Sequence, residues 1–205
     1  MKNHGRQHIV WLAVLFLGCA VPVSAGIAAG GPQDRVRDTL ESALHILNDP
    51  ALQGSEKREA RRQEVRKLIG DRFNYTEMAE RSLNSHWGTL TGKQRREFVD
   101  LFGELFERSY SNLVLDSLPD QNVLYAGESV NGTEAMVNTI VVDKRGDRLP
   151  VDYELKHRKG RWELYDVVID GVSIVANYQS QFNKVIQTSS YEALVKKMRI
   201  KRAEE

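Results

Sequence analysis

The hydrophobic period changes twice along this chain, and that limits the folds open to it. From Asp34 to Val114 apolar residues recur every three to four positions. From Val123 to Asp170 they largely alternate with polar ones, and from Val172 the longer spacing returns. A period near 3.6 gathers apolar side chains on one stripe of a helix, and a period of two gathers them on one face of a strand. Helices, then a meander of strands, then helices again predicts an α+β domain with amphipathic helices on one face of a mainly antiparallel sheet.

The first helical part divides at its breakers. Val36, Leu40, Leu44 and Leu47 form a stripe that ends at Asn48-Asp49-Pro50, because proline cannot donate the next backbone bond. Ser55 reads as the cap of a second helix that runs to Ile69 and stops at Gly70. Its mixed charges read as a solvated face. Asn74 with Glu77, and Thr91 with Gln94, have capping-box spacing. The first opens a short helix through Met78 and Leu83. The second opens the longest helix, with Phe98, Leu101, Phe102, Leu105, Phe106, Tyr110, Leu113 and Val114 as its stripe and Pro119 as its end.

Strands are expected over 123–128, 135–143, 149–157 and 161–170, with turns at Asn131-Gly132, Arg145-Gly146-Asp147 and Lys159-Gly160. The last strand is apolar on both sides near its end, which suggests a central place in the sheet. A further helix is expected from Val172, with Val175, Tyr178 and Phe182 on one face. Ser190 caps a final short helix containing Leu194, Val195 and Met198, and the charged tail from Lys196 is expected to fray.

The N-terminus reads as an address. Met1–His8 carries Lys2 and Arg6, Ile9–Val23 is apolar almost throughout, and Val23-Ser24-Ala25 offers the small residues a signal peptidase requires. The apolar run is short of the roughly 20 residues that span a bilayer. Residues 1–25 are therefore expected to be a cleaved signal, with 26–205 a single domain. Cys19, the only cysteine, sits in that apolar run and has a weak lipoprotein-box context in Phe16-Leu17-Gly18. Without residues 1–25 the 29 Lys and Arg fall by two to 27 against 28 Asp and Glu, a net charge of −1. That balance argues against a nucleic-acid partner, which needs a strong basic field.

Catalytic and metal-binding patterns are missing. His45, His86 and His157 lie far apart on unrelated elements, and the mature chain has no cysteine. It has no glycine-rich phosphate loop, no Gly-x-Ser-x-Gly elbow and no His-Glu-x-x-His. Asp166 and Asp170 share a strand face, but stand about 13 Å apart at the usual rise. No enzyme, cofactor or metal site is expected. The apolar stripes by themselves fit a filled core as well as a hollow one.

Three stretches together resemble the MlaC family of periplasmic phospholipid-binding proteins, also called the toluene-tolerance auxiliary family. They are Phe73-Asn74-Tyr75-Thr76-Glu77-Met78-Ala79 leading to Leu83 and Trp87; Leu90-Thr91-Gly92-Lys93-Gln94 followed by Phe98 and Phe102; and Tyr165-Asp166-Val167-Val168-Ile169-Asp170-Gly171-Val172-Ser173 followed by Asn177-Tyr178 and Phe182. Two positions depart from the family pattern: Asn84-Ser85-His86 before Trp87, and Gln179 where an arginine is common. The resemblance implies a curved sheet that encloses an apolar cavity, with phospholipid as cargo. It further implies a shuttle between an outer-membrane lipoprotein–porin complex and an inner-membrane ABC transporter with an MCE-domain subunit. Some relatives are associated with hopanoids instead, and an adaptor that binds another envelope protein without lipid is the alternative from a different class. On the carrier reading the pocket is expected to be lined by Val151, Tyr153, Leu155, Val167 and Ile169 from strands. Helices are expected to contribute Met78, Leu101, Leu105, Val172, Val175 and Phe182.

Overall fold

A computed structural model describes residues 30–118 and 121–203. The expected signal segment, Cys19 and the helix-ending Pro119 lie outside the described residues. Within them, α1 (Pro32–Asn48), α2 (Arg58–Arg72), α3 (Tyr75–Leu83) and α4 (Gly92–Ser117) precede the sheet. Strands β1 (Asn122–Asn131), β2 (Glu134–Val142), β3 (Arg148–Arg158), β4 (Arg161–Ile169) and β5 (Val172–Ser173) pair antiparallel in chain order. Helices α5 (Ile174–Thr188) and α6 (Tyr191–Ala203) close the chain.

Local chemistry explains most boundaries. Thr91 and Gln94 form the reciprocal capping box, with the Gln94 amide donating to Thr91 Oγ1 at 3.3 Å and the Thr91 amide donating to Gln94 Oε1 at 2.9 Å. Asn74 caps α3 by accepting from the Glu77 amide at 3.0 Å. The Glu77 side chain does not return the contact, because its carboxylate receives Lys156 and Arg81 instead.

Gly70 does not end α2, contrary to the expectation from sequence. The helix continues to Arg72, because glycine here serves close approach and not termination. A Cβ at Gly70 would stand 3.2 Å from Glu107 Oε1 on α4. Gly103 shows the same logic more sharply, since its Cβ would meet Tyr75 Cδ2 at 2.7 Å. Ser55 likewise begins a separate 3-10 turn, Ser55–Lys57, ahead of α2.

Strand β4 is not central. On one side it pairs with β3, and on the other with the two-residue β5 and a single parallel bridge from Phe73 to Leu164. Its apolar character near the end comes from that short, covered edge. The chain leaves β4 through Asp170 (φ +49°) and Gly171 (φ +76°), two left-handed residues that close a two-residue hairpin onto β5. The expected helix start at Val172 is corrected by this hairpin, and α5 begins two residues later.

Asp166 holds that junction. It is buried, and accepts from the amides of Val167 at 2.8 Å and Val175 at 3.0 Å and from the Ser173 hydroxyl. Ser173 in turn caps α5 by accepting from the Ala176 amide at 2.9 Å. The sequence's candidate carboxylate pair is thus a helix anchor and an exposed turn residue.

Two apolar bodies result. The larger joins α3, α4, α5 and α6, with Phe102 and Tyr178 at 5.2 Å between ring centroids and Phe98 edge-on to Phe182 at 5.6 Å. The smaller seats Val36 of α1 on Ala135, Val137, Leu155 and Leu164 of the sheet. Helix α6 packs Leu194, Val195 and Met198 into the larger body. The Arg108 guanidinium also holds the last carbonyls of α6, from Lys201 at 3.0 Å and Arg202 at 2.9 Å. The tail from Lys196 to Ala203 is therefore helical and docked, not frayed.

Removing the Asp166 carboxylate strands buried donors at the β4–α5 junction. Asp166→Ala is expected to lower unfolding stability by about 2–3 kcal/mol, and Asp166→Asn by less, in urea titrations. A second expectation concerns acid. Burial alone would raise the Glu77 carboxyl, but hydrogen bonds from Lys156 at 2.8 Å and Arg81 at 2.9 Å outweigh it and hold it below its ordinary value of 4.5. A depressed folded pKa contributes stability above the unfolded value that is lost as pH falls through the folded one. Thermal unfolding should therefore show a loss below about pH 4.5 that Glu77→Gln reduces.

Candidate functional site

The sheet is roofed unevenly, and the gap is the candidate site. α1 seals the end of the sheet near Leu155. Towards Leu149 and Val141, the helices stand off and leave a cavity of about 380 Å³. Its floor is Val141 of β2, Leu149, Val151 and Tyr153 of β3, and Leu164, Val167 and Ile169 of β4. Its roof is Leu40 and Ala43 of α1, Val65, Leu68 and Ile69 of α2, and the last turns of α4 from Phe106 to Leu118. The strand residues share a face because Leu149, Val151 and Tyr153 alternate along β3. The register pairs Val151 with Ile169 and Tyr153 with Val167. A bulge between the pairs Glu154–Asp166 and Leu155–Leu164 leaves Tyr165 as the extra residue.

Among the described residues, no Asp, Glu, Lys, Arg or His lines this cavity. The few polar groups on its wall are neutral. Thr39 donates its hydroxyl to the Arg35 carbonyl at 2.8 Å, within its own helix. Burial pushes the Tyr110 phenol up to about 12, with the neighbouring Tyr178 a further cause, and burial likewise holds Tyr153 above the ordinary phenol range. Both rings stay uncharged near neutral pH. The wall offers no acid, base or charged donor to polarise a bond, so it suits retention of an apolar ligand better than a reaction. Leu113, 48% exposed, and Leu149, 40% exposed, are the two lining residues that stand most open to solvent among the large apolar ones. Ser117 and Gln121 give the lining its polar edge.

The structure brings four of the residues singled out from sequence onto this wall: Val151, Tyr153, Val167 and Ile169. Leu155 lies instead under α1, fully buried against Val36. Met78, Leu101, Val175 and Phe182 belong to the solid helical body, with Leu105 half-buried against it. Val172 stands on β5 and is 62% exposed. The sequence reading missed the roof from α1 and α2. The signal that could have found part of it is the end of the α4 stripe, where Tyr110, Leu113 and Val114 continue past the residues that α5 and α6 cover. Among the described residues, no helix is long and apolar enough to cross a membrane, and no group of three or more His, Cys, Asp or Glu could hold a metal ion.

Known proteins share this plan. A sequence model of the MlaC protein family matches residues 37–200. The chain belongs to the MlaC family. It is 26% identical over 121 residues to the intermembrane phospholipid transport system binding protein MlaC of Haemophilus influenzae, covering 57% of this chain and 56% of that one. It is 22% identical over 175 residues to the toluene tolerance protein ttg2D of Pseudomonas putida, covering 85% and 81%. A phospholipid-binding protein from Ralstonia solanacearum, solved with a phospholipid, superposes with a TM-score of 0.72 at 23% identity over 85% of this chain and 98% of its own. That likeness shows that the two chains share a fold.

The cavity wall gives a direct mutational contrast. Val151→Trp is expected to fill the gap, lowering lipid occupancy measured by mass with little loss of melting temperature. Val175→Trp overpacks the solid body and is expected to cost about 1–3 kcal/mol of stability. Equal behaviour of the two variants would mean that the cavity is not where the cargo sits.

Proposed function

We propose that this protein is a non-enzymatic periplasmic phospholipid carrier, exported with its leader cleaved near Ala25. It moves lipid between an outer-membrane lipoprotein–porin complex and an inner-membrane ABC transporter complex with an MCE-domain subunit. The single observation that carries the reading is an apolar cavity whose lining, among the described residues, holds no charged side chain and includes the exposed Leu113 and Leu149. Family membership supports it, as does the likeness to the Haemophilus intermembrane phospholipid transport system binding protein and to the Ralstonia phospholipid-binding protein.

Energetics favour such a design. Each methylene held away from water is worth about 0.8 kcal/mol, so a lipid with roughly 30 methylenes costs on the order of 20 kcal/mol to expose. A carrier must nearly match a bilayer and still release its cargo. Non-directional apolar contact does this better than a charged clamp, and it leaves the headgroup outside with weak selectivity.

Size adds a constraint. A dry cavity of about 150 Å³ holds one benzene, which corresponds to about 25 Å³ per carbon. By that measure a cavity of about 380 Å³ accommodates about fifteen carbons, one acyl chain. A second chain requires the last turns of α4 to part from β3, or lies along the exposed Leu113 and Leu149.

Native mass spectrometry of the purified mature protein tests the reading. It is expected to carry a co-purified lipid, whose mass names the class, and to reload from vesicles once stripped. Failure to carry or take up lipid in every preparation would leave the solid-cored adaptor as the better account, and turnover of lipid would indicate an enzyme. Ion mobility should show no expansion with a lysophospholipid and a larger cross-section with a two-chain lipid. Identical cross-sections would contradict the one-chain estimate.

A further inference from the structure

The charge of this molecule is unevenly placed. Helix α6 carries Lys196, Lys197, Arg199, Lys201 and Arg202 against Glu192 alone, and all five basic side chains are exposed. Of these, Arg199 and Arg202 lie beside Lys93 and Arg96 of the opening turns of α4, and the groove of about 400 Å³ between the two helices is lined by these four cations together with Glu97, Asp100 and Leu101. Two of the cations are already fixed: Arg199 pairs with Glu97, and Arg202 Nε with Glu104 at 2.8 Å. Lys93, Arg96, Lys196, Lys197 and Lys201 make no salt bridge among the described residues. Four basic residues, Lys93, Arg96, Arg199 and Arg202, line the groove against two acidic ones, Glu97 and Asp100, so the groove is at +2 in a mature chain with 27 basic and 28 acidic residues.

We infer that this groove and the α6 surface beside it form an electrostatic docking face for an acidic segment of a partner protein. The inference goes beyond the carrier reading, because it concerns a surface remote from the cavity. Lys93 and Leu113 lie at opposite ends of α4, about 30 Å apart at the usual rise per residue. A partner held at the basic face therefore leaves the cavity mouth unobstructed.

Three features favour an acidic protein segment over an anionic bilayer. The surface is a groove, which receives a protruding chain better than a plane. A helix that lies in a membrane interface presents its apolar stripe to lipid. Here Leu194, Val195 and Met198 are already spent on the core of the protein, and only Ile200 remains exposed on α6. Finally, Glu97 and Glu104 hold two guanidinium groups in fixed positions, which gives the face geometry as well as charge. Charged rims of this kind chiefly raise association rates and select partners.

Fluorescence anisotropy of a labelled hexaglutamate peptide with the full mature chain tests the assignment. Binding is expected at low salt and should weaken as ionic strength rises. The double reversal Lys93→Glu with Arg96→Glu is expected to weaken binding about tenfold or more. Arg158→Glu with Lys159→Glu, on the β3–β4 turn, is expected to leave it within about twofold. Melting temperature and lipid occupancy by native mass spectrometry should be unchanged in both variants, so failure of this inference is separable from failure of the carrier reading. No binding at low salt, or equal loss in both variants, would overturn it. So would capture of phosphatidylglycerol vesicles through Lys93 and Arg96 in place of the peptide, which would assign the face to a membrane.

Discussion

Helix α4 is longer than the bundle that surrounds it, and the cavity follows from that mismatch. Its 26 residues span about 39 Å, whereas α3, α5 and α6 have 9, 15 and 13 residues. The apolar stripe of the first half of α4 is covered, with Phe98 and Phe102 packed between Tyr178, Phe182 and Tyr191. The second half is covered by α2 on one side, where Arg58 reaches Asp116 at 2.9 Å and Gly70 admits Glu107. Its other side faces the sheet with no element in between. Burying the apolar side chains of that uncovered stripe would be favourable, and on the proposed reading a bound acyl chain supplies the missing element.

Rigidity elsewhere makes that gap persistent. Asp166 ties β4 to the start of α5, and Glu77 ties α3 to the sheet through Lys156. Tyr75 donates to Glu107 at 2.9 Å, and its ring fills the notch left by Gly103. Burial raises the Glu107 carboxyl, so this contact between α3 and α4 lies in a poorly solvated seam. With both ends of the sheet–helix stack fixed, collapse of the helices onto Leu149 and Val151 would break packed contacts to gain others. An apolar hollow of this kind is stable when its frame is better packed than its contents.

Much of the frame was legible in the sequence because it is written in local chemistry. The Thr91–Gln94 box, the Asn131-Gly132 and Lys159-Gly160 turns, and the alternation of Leu149, Val151, Tyr153 and Leu155 each specify an element from a few neighbouring residues. The site was only half legible. Val151, Tyr153, Val167 and Ile169 share a face by simple alternation, so the floor could be read. The roof depends on which helix faces which part of the sheet, and that is a tertiary fact. Met78 and Phe182 have the same stripe spacing as Tyr110 and Leu113, yet the former pair fills a solid bundle and the latter lines the gap. Gly70 misled for the same reason: a glycine that permits close helix approach looks, in sequence, like one that ends a helix.

The central claim is that cargo lies between the end of α4 and strands β2 to β4, and not in the helical bundle. Photocrosslinking with a phospholipid that carries a diazirine at the end of one acyl chain measures this directly. After digestion, the label is expected on peptides containing residues 106–118, 149–153 or 164–169. Labelling concentrated instead around Met78, Val175 or Phe182 would contradict the account, because it would put the acyl chain in the helical bundle and not in the gap beside the sheet.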